Sequence, residues 1–422
     1  MQPKGLLAFT ALFAGALAQY SDAQSLIGAM PPEAGATGSD LIVIDPTTGT
    51  HDFYMRVPHD TTGTRLLYHL AALPGCKLAA SLYRDIGSAN VTSQLVTIDP
   101  LTSTVNIMNY GAPVGTLYAE GMDYSPRHGA ILISFGALNN FGTTRLALIN
   151  PANGAVISST TALAGISDMD YILSTDTDDL FIDYNATSAA GRVKRLTALM
   201  PIPAFANFAS PPSLTNYWDG ARHPTTGEII FTDTGGKRLV RLVGNAYANG
   251  ATLADGAAVR GLAWANLPPK SIMPAYAGAC SGSSSIISAH AVGTPPFSYK
   301  WRRNNIDIDP IVNPTALKPD LELGPANATL EADYVCVITN ACGQHISDAV
   351  PFILCRADFN CDGGVDDADF IGFLSAYNML DCADPAMPAG CPADLNCDAV
   401  VDDADFTLFV QAYNRLLCGA YA

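Results

Sequence analysis

Oxygen-bearing side chains recur at fixed spacing in two segments near the end of the chain. The first segment is Asp358-x-Asn360-x-Asp362-Gly363-x-Val365-Asp366-x-x-Asp369. The second, offset by 36 positions, is Asp394-x-Asn396-x-Asp398-Ala399-x-Val401-Asp402-x-x-Asp405. Oxygen side chains at loop positions 1, 3, 5, 9 and 12 are what a hard cation with six to eight oxygen ligands requires. The spacing therefore predicts two calcium loops, here called loop one (residues 358–369) and loop two (residues 394–405).

Each loop is expected to hold one Ca²⁺ ion, and the alternative is an Asp-rich turn without metal. Gly363 permits the positive φ of the sharp turn in loop one, whereas loop two has Ala399 at that position. A left-handed alanine costs about 1–2 kcal/mol, so we expect loop two to bind more weakly, by up to about tenfold. Asp366 is expected to bind directly or through water, and Gly364 and Val400 through their backbone carbonyls. The predicted ligands are Asp358, Asn360, Asp362, Gly364, Asp366 and Asp369, with Asp394, Asn396, Asp398, Val400, Asp402 and Asp405.

A helix is predicted after each loop. Phe370, Phe373, Leu374 and Tyr377 are spaced as i, i+3, i+4 and i+7, the spacing of an amphipathic helix. The second copy repeats the stripe with Phe406, Phe409, Val410 and Tyr413. Two such stripes facing one another form only a small core, so metal and disulfides should be needed for stability.

Residues 356–422 resemble a type I dockerin, in which two calcium loops are each followed by one helix. Asp369 and Asp405 at position 12 support the resemblance, because dockerins also use Asp there whereas calmodulin-like hands use a bidentate Glu. The resemblance implies attachment to a protein partner, either cohesin-like or another surface receptor. Type I dockerins commonly place partner-reading residues at positions 10 and 11. Here those positions are Asp367-Ala368 and Asp403-Ala404, which departs from the usual pattern and leaves a purely stabilising terminal domain as an alternative.

Six cysteines follow the same repeat, as 355/391, 361/397 and 382/418. If the module has a pseudo-two-fold axis, its bridges should map onto themselves. The set Cys382–Cys391, Cys355–Cys418 and Cys361–Cys397 does so, although other symmetric pairings stay open. Outside the module, Cys280 is a candidate partner for Cys336 or Cys342, and Cys76 is either free and buried or the odd partner.

A second repeat runs from about residue 40 to residue 268. Apolar strands that end in an Asx-Pro turn recur at 41–46, 95–100 and 146–151, and a second motif recurs around Asp123, Asp170 and Asp219. Short strands at a period of about 50 residues are typical of propeller blades, which bury their faces only against one another. Residues 25–270 therefore favour a β-propeller of five or six blades whose N-terminal strand completes the last blade. The alternative is an irregular β-sandwich or solenoid.

Residues 272–355 resemble an immunoglobulin-like β-sandwich. Trp301 would be the core tryptophan of strand C, and Tyr334, two residues before Cys336, fits a tyrosine corner. The expected strand B, residues 286–291, has no cysteine. The predicted fold class is thus multidomain and mainly β: a propeller, an immunoglobulin-like domain and a small α-helical dockerin-like calcium module.

Composition and the first residues indicate export. Lys4 precedes an apolar run, Leu6 to Ala18, so residues 1–23 are predicted to be a signal peptide cleaved after residue 18 or residue 23. The run is shorter than the roughly 20 residues that span a bilayer, so no membrane insertion is expected. A net charge of −17 argues against nucleic acid as a partner. The mature protein is predicted to be extracellular or at the cell surface, with disulfide-bonded cysteines.

The sequence contains no G-x-S-x-G elbow, no H-E-x-x-H, no P-loop and no dinucleotide fingerprint, so enzymatic activity is uncertain and its absence is favoured. Asp123, Asp170 and Asp219 recur at apparently equivalent strand starts and either ring the propeller channel or cap blade turns. His128 and His223 are expected to be exposed turn residues, and residues 176–179 a solvated hairpin turn. Our first hypothesis is a secreted, non-catalytic protein whose propeller binds an extracellular ligand, possibly a glycan, and whose calcium module attaches it to a partner. The alternatives are an extracellular hydrolase, polysaccharide-related or metal-dependent, with its site on the channel face, and a structural surface-layer protein.

Overall fold

The chain is mainly β and divides into two compact units in the computed structural model. Unit one ends at Pro268 and includes Gly293–Pro296, and unit two comprises Pro269–Val292 and the chain from Phe297 onward. The predicted signal peptide, 1–23, lies outside the described residues. No helix among the described residues is long and apolar enough to cross a membrane. The described residues are 24–31, 38–58, 66–84, 92–108, 118–136, 144–161, 163, 169–183, 193–199, 203–209, 211, 219–233, 235–280, 282–388, 391–396 and 398–414.

The described part of unit one forms five four-stranded antiparallel sheets. Sheet 1 contains β4 (Leu66–Leu73), β5 (Lys77–Arg84), β6 (Thr92–Asp99) and β7 (Thr104–Met108). Sheet 2 contains β8 (Tyr118–Ser125), β9 (Ala130–Gly136), β10 (Arg145–Ile149) and β11 (Val156–Ser159). Sheet 3 contains β12 (Met169–Ser174), β13 (Asp179–Asp183), β14 (Val193–Ala198) and β15 (Ala204–Ala209). Sheet 4 contains β16 (Gly220–Arg222), β17 (Ile229–Asp233), β18 (Arg238–Val243) and β19 (Ala246–Thr252), and sheet 5 contains β20 (Gly261–Ala265), β1 (Ser25–Met30), β2 (Ser39–Ile44) and β3 (His51–Val57).

The first strand of each sheet lies beside the first strands of two other sheets. β4 lies near β8, β8 near β12, β12 near β16, β16 near β20, and β20 near β4. Apolar side chains fill the space between neighbouring sheets, as where Leu26 and Trp264 of sheet 5 pack with Ile230 of sheet 4. β20 pairs with β1, so the N-terminal strands complete the sheet that the last strand of unit one begins, as expected.

The Asx-Pro motifs form the predicted turns at strand ends. Asp45 Oδ1 accepts the backbone N–H of Thr47 at 2.7 Å, and Asp99 and Asn150 accept equivalent bonds. These side chains replace strand hydrogen bonds at the point where the chain reverses. Gly49 has φ +78°, and a Cβ there would lie 2.1 Å from the carbonyl oxygen of Thr252, so this turn admits only glycine.

The three repeated aspartates do not share one register, contrary to the sequence interpretation. The first turn of sheets 2, 3 and 4 is closed by Ser125, Ser174 and His223, respectively. Asp170 and Asp219 each lie four residues before the closing residue, but Asp123 lies only two before it. The dipeptides Asp123-Tyr124 and Asp170-Tyr171 suggested that these aspartates occupy equivalent strand positions. The strand pairing shows that they do not.

Unit two contains a β-sandwich-like core around Trp301. Trp301 is fully buried and its Nε1 donates to the carbonyl of Lys318 at 2.9 Å. Tyr334 is also buried, and its hydroxyl donates to the carbonyl of Leu330, four residues upstream. The main sheet has the order β22 (Ala277–Ala279), β30 (Val350–Leu354), β28 (Ala332–Asn340), β25 (Ser298–Arg303) and β26 (Ile306–Asp307), with β29 (Gly343–Ile346) also on β28. β23 (Ser284–Ser288) pairs with β27 (Asp320–Pro325), and β21 (Lys270–Ile272) pairs with β24 (His290–Val292).

Two helices follow the acidic loops at the predicted places. α1 spans Asp367–Tyr377 and α2 spans Asp403–Tyr413, each beginning with a capping box. The rings of Phe373 and Phe409 are buried and stacked, with centroids 4.7 Å apart. The two predicted apolar stripes therefore face one another and form the small core.

Candidate functional site

The first aspartate of each loop gathers the loop backbone around its carboxylate. In loop one, Asp358 Oδ1 accepts the N–H of Asp362 at 3.2 Å, and Oδ2 accepts that of Gly363 at 3.0 Å. In loop two, Asp394 accepts the N–H groups of Asp398 at 3.1 Å and Ala399 at 2.8 Å. The two loops therefore turn in the same way around their first carboxylate.

The middle ligands are also held alike in both loops. Asn360 Nδ2 donates to Asp362 Oδ2 at 3.0 Å, and Asn396 Nδ2 donates to Asp398 Oδ2 at 2.8 Å. These two pairs are exposed. Among the described residues, the oxygens of these side chains accept otherwise only loop N–H groups, so they remain accessible to a cation from solvent.

The last aspartate of each loop ties the loop to its helix. Asp369 is fully buried and accepts three N–H groups, from Phe359, Asn360 and Asp366. Asp405 is equally buried and accepts from Leu395, Asn396 and Asp402. Because a carboxylate has about four lone-pair sites, three such bonds leave about one site on each group, on Oδ2. Asp369 and Asp405 therefore hold the loop backbone in place and still have about one lone pair available for a cation.

The predicted ligands at position 9 serve as helix N-caps. Asp366 Oδ1 accepts the N–H of Ala368 at 2.8 Å, and Asp402 Oδ1 accepts that of Ala404 at 2.8 Å. An N-cap carboxylate uses one oxygen and leaves the other available. A water-mediated contact to a cation, one of the two modes expected for Asp366, is compatible with this role.

Carboxylate oxygens converge in loop one as a hard cation requires. Ligand oxygens of Asp358, Asp362 and Asp369 lie within 4.8 Å of one another. Burial raises the pKa of Asp358, and the neighbouring Asp369 carboxylate adds to the rise. A cation among these oxygens would relieve both effects. The all-oxygen donor set fits Ca²⁺, which Asp358, Asn360, Asp362 and Asp369 would hold directly.

A second cluster consists of Cys382, Cys391 and Asp394. Cys382 and Cys391 form a disulfide, so neither sulfur is a thiolate that could bind a metal. This cluster is therefore not a metal site of its own.

The turn residues of the two loops differ as the sequence predicts. Gly363 has φ +92° and Ala399 has φ +70°, so both lie in the left-handed region. Glycine adopts that region freely, whereas alanine meets steric strain. The left-handed alanine expected in loop two is therefore present, whereas its weaker Ca²⁺ binding stays a prediction.

Loop position 10 is engaged within the module. Tyr377 OH donates to Asp403 Oδ1 at 2.7 Å, and Tyr413 OH donates to Asp367 Oδ1 at 2.5 Å. Each helix thereby holds the first residue of the other helix. Asp367 and Asp403 are therefore used for contacts within the module.

The disulfides agree with the predicted set in one pair and differ in another. Cys382 and Cys391 are joined, as predicted. Cys361 is joined to Cys280 and not to Cys397, and Cys336 is a buried free thiol. The symmetry argument failed here because it considered only the six cysteines of the module. Cys76, Cys342 and Cys355 are also disulfide-bonded, whereas Cys397 and Cys418 lie outside the described residues.

In unit one, Asp123 and Asp219 connect neighbouring sheets. Asp123 Oδ2, on β8, accepts the N–H of Ser174 on β12 at 2.7 Å. Asp219 Oδ2, just before β16, accepts the N–H of Leu262 on β20 at 2.7 Å. Burial raises the pKa of both carboxyl groups. The side chain of Asp170 lies outside the described residues.

A buried chain of polar groups extends from Asp219. His69 Nδ1 lies 3.6 Å from Asp219 Oδ1, and its Nε2 lies 2.9 Å from the hydroxyl of Tyr83. That hydroxyl donates to the carbonyl of Ala119, so it accepts from His69 Nε2. His69 sits at a β-bulge with φ +43°, a conformation that buried functional residues adopt more often than others. Its sequence context, Tyr68-His69-Leu70, gave no signal that His69 would contact Asp219 and Tyr83.

The turn residues singled out from the sequence are more buried than expected. His223 is fully buried and packs edge-on against Trp264, so the expectation of an exposed histidine was wrong for it. His128 is partly exposed, with Nε2 3.5 Å from Asp179 Oδ2. Asp178 and Asp179 are also buried, so the hairpin turn is not solvated throughout. Asp178 is paired with Arg195 and Arg222.

Comparisons with known proteins find similar solved structures but no matching family. No protein family matches it, and no curated protein matches it. A putative 6-phosphogluconolactonase from Bacteroides uniformis is 9% identical over 79% of this chain and 84% of its own, with a TM-score of 0.31. An exo-beta-1,3-galactanase from Phanerochaete chrysosporium is 8% identical over 75% and 87%, with a TM-score of 0.34. The tandem immunoglobulin repeats of Dlar are 21% identical over 30% and 74%, with a TM-score of 0.19. At TM-scores this low, none of these likenesses supports a shared fold or activity.

Proposed function

We propose that the chain is a secreted, modular, calcium-binding protein without catalytic activity. Unit one binds an extracellular ligand, and the two acidic loops with their helices attach the protein to a partner or a surface. The observation that carries the proposal is the pairing of two loops with matched hydrogen bonds, each followed by a capped helix. A site duplicated to this degree indicates that the oxygen set itself has a function.

The proposed architecture is a five-bladed propeller, an immunoglobulin-like domain and a dockerin-like module. Support for the propeller comes from the first strands, each of which neighbours two others around the unit. The pairing of β1 with β20 would close such a ring. Support for the immunoglobulin-like domain comes from the buried Trp301 and from the hydroxyl bond of Tyr334.

Calcium would stabilise the module as well as occupy it. The core between α1 and α2 is small, and the loops bring several carboxylates together without a lysine or arginine within either loop. Binding of a cation by such loops contributes directly to folding free energy. Attachment would then depend on Ca²⁺, because the helices that present the surface depend on the loops.

Export is supported by the cysteines and by the N-terminal sequence. Disulfides such as Cys280–Cys361 and Cys382–Cys391 persist in oxidising compartments. An apolar run with one preceding lysine is typical of a signal peptide. Extracellular fluid also supplies millimolar Ca²⁺, which suits loops of moderate affinity.

The partner is expected to be a protein that reads a surface other than the usual dockerin positions. Asp367 and Asp403 are bonded to Tyr413 and Tyr377, so their carboxylates are less available than free ones. Ile371, at 70% exposure, lies on the outer side of α1 and is a candidate contact. A surface receptor other than a standard cohesin is therefore the favoured partner.

Calcium-dependent attachment can be tested with the secreted full-length protein. The wild type should remain with the cell-surface fraction in Ca²⁺ and be released by chelator. The Asp358→Ala, Asp394→Ala double variant should be found in the medium under both conditions. Retention of the double variant equal to that of the wild type would refute attachment through the loops.

A second candidate function is an extracellular hydrolase with its site in unit one. The position of Asp123 at a cavity of unit one favours it, and burial together with the Asp179 and Asp219 carboxylates raises the pKa of Asp123, a direction that suits a general acid. Loss of a glycan-cleaving or metal-dependent activity in Asp123→Ala and Asp170→Ala would support this function. Binding of a polysaccharide without turnover would support the non-catalytic one.

A further inference from the structure

A small cavity lies where the first strands of the five sheets meet in unit one. Its volume is about 130 Å³, and every one of the five sheets contributes lining residues from its first strand. A wider recess of about 630 Å³ shares Gln24, Pro126, Arg222 and Pro224 with it. A space of this size exceeds the room for a single water molecule and suits a small ligand that enters from the recess.

Three polar side chains that line the cavity have a buried atom without a hydrogen-bond partner among the described residues. One is Arg222 Nε, and the other two are the oxygen atoms Gln24 Oε1 and Ser174 Oγ, with Ser174 only 7% exposed. A buried hydroxyl or amide oxygen without a partner costs free energy, and native proteins rarely leave one so. The two oxygen atoms, Gln24 Oε1 and Ser174 Oγ, therefore point to a bound hydrogen-bonding molecule.

The charged groups at the cavity are compensated. Arg222 is paired with Asp178, which also accepts from Arg195 at 2.7 Å. Burial would raise the pKa of Asp178, but the two guanidinium groups lower it instead. Asp123 lines the cavity with its two oxygens bonded to the N–H groups of Tyr124 and Ser174. Burial raises the pKa of Asp123 and so disfavours its charged form, and Arg222 is neutralised by Asp178, so the lining favours an uncharged ligand over an ionic one.

Apolar surface alternates with these polar groups. Trp264 and Tyr124 both line the cavity, and Trp264 is held in place by the buried ring of His223, with centroids 4.7 Å apart. Aromatic faces favour C–H surfaces, while Asp123, Ser174 and Gln24 favour hydroxyl groups. A molecule with both features, and no net charge, matches this lining.

We propose that the cavity is a binding site for a neutral polyhydroxylated ring, that is, for a single sugar residue or the end of a sugar chain. Asp123 hydrogen-bonds to a ring hydroxyl, Ser174 and Gln24 complete the polar contacts, and Trp264 and Tyr124 pack against C–H groups. The inference rests on the proposed function, because that function assigns ligand binding to unit one.

The test is ligand-observed NMR titration of the full-length protein with D-glucose, D-galactose and D-xylose, and with D-glucuronate as a charged probe. At least one neutral sugar should bind, and glucuronate should bind more weakly. Ser174→Ala should lower the affinity by about threefold to tenfold, the value of one hydrogen bond. Ser159→Ala, on the exposed edge strand β11, should leave it unchanged.

Asp123 provides a second comparison that does not depend on Ser174. Asp123→Asn keeps the shape and the hydrogen-bonding capacity of the side chain, so binding should stay within about threefold of the wild type. Asp123→Leu removes the hydrogen-bonding group and should abolish binding, with circular dichroism reporting whether the variant folds. Absence of binding by the wild type, equal binding by Ser174→Ala, or a preference for glucuronate would overturn the proposal.

Failure of this proposal can be separated from failure of the proposed attachment function. The cavity is lined by unit one, whereas the calcium loops belong to unit two. Sugar binding should therefore persist in chelator, although attachment should not. Ca²⁺ binding without binding of any neutral sugar would reject the cavity site alone.

Discussion

Loop one and loop two share a hydrogen-bond framework but differ in what surrounds it. Their first, third, fifth, ninth and twelfth residues accept the same set of backbone N–H groups. Loop one has glycine at the turn, a buried Asp358 and a disulfide from Cys361 to Cys280. Loop two has Ala399 at the turn and a more exposed Asp394.

The difference predicts that the two loops bind Ca²⁺ with different affinities. Backbone hydrogen bonds give both loops the same shape, but among the described residues the carboxylate oxygens converge in loop one and not in loop two. Loop one is also anchored to the β-sandwich, because Cys355 N–H donates to Ala279 and Cys280 Sγ lies 3.3 Å from Asp358 Oδ2. Loop one is therefore expected to be the tighter, structural site and loop two the weaker, exchangeable one.

The largest predicted effect is a loss of unfolding free energy, and it should be equal for the two loop–helix halves of the calcium module. Phe373→Ala and Phe409→Ala each remove a fully buried ring from the shared core and should each cost about 3–5 kcal/mol of unfolding free energy. Urea denaturation of the calcium-bound protein would measure both. A loss confined to one variant would show that the halves do not share one core.

The second prediction concerns the anchor of loop one. Replacing Cys280 and Cys361 together by serine should cost about 2–4 kcal/mol, since the bridge spans 81 residues. Ca²⁺ affinity should fall for loop one and stay the same for loop two, as measured by calorimetry.

A matched control for the anchor is the pair Cys382→Ser and Cys391→Ser. That bridge spans only 9 residues, so its loss should cost less and should not weaken loop one. Equal effects of the two double variants would contradict a specific anchoring of loop one.

The third prediction exchanges the turn residues. Ala399→Gly should relieve about 1 kcal/mol of backbone strain and raise the affinity of loop two about fivefold. Gly363→Ala should weaken loop one by a similar factor, because φ +92° is unfavourable for alanine. Affinities that do not respond to either exchange would mean that turn strain does not separate the loops.

The smallest predicted effect is that of the reciprocal tyrosine bonds. Tyr377→Phe and Tyr413→Phe should each lower the melting temperature slightly and equally. Their bonds to Asp403 and Asp367 raise the pKa of both tyrosines above 10.0, the usual value. The folded state thus favours the neutral hydroxyl. The stability that each bond contributes is therefore present at pH values below the usual tyrosine pKa, and it is lost as the pH rises through the raised pKa of the folded state. A melting curve at pH 8 and at pH 11 for wild type and variants would detect it.

Local patterns in the sequence were enough to predict the loops, the helices and the turns. Oxygen side chains at fixed spacing predict the two loops, and the i, i+3, i+4 stripe predicts α1 and α2. The Asp45-Pro46 type of turn depends on adjacent residues only, and its hydrogen bonds form as expected. Each of these features depends on residues that are close together in the sequence.

Features that depend on distant contacts were not predictable in the same way. The Cys280–Cys361 bridge joins residues of two predicted domains, so symmetry within one domain could not suggest it. His69 meets Asp219 only through the packing of separate sheets. The bulge at Asp170 and the different distance of Asp123 from its turn likewise arise from strand pairing, which the repeated sequence conceals.

The most direct test of the account is a calorimetric Ca²⁺ titration of the full-length protein, because the Cys280–Cys361 bridge makes loop one continuous with the sandwich. The account predicts two binding events that differ by up to about tenfold. The tighter event should be lost in Asp358→Ala and the weaker one in Asp394→Ala. No binding at millimolar Ca²⁺ or below, or a loop two that binds more tightly than loop one, would contradict it.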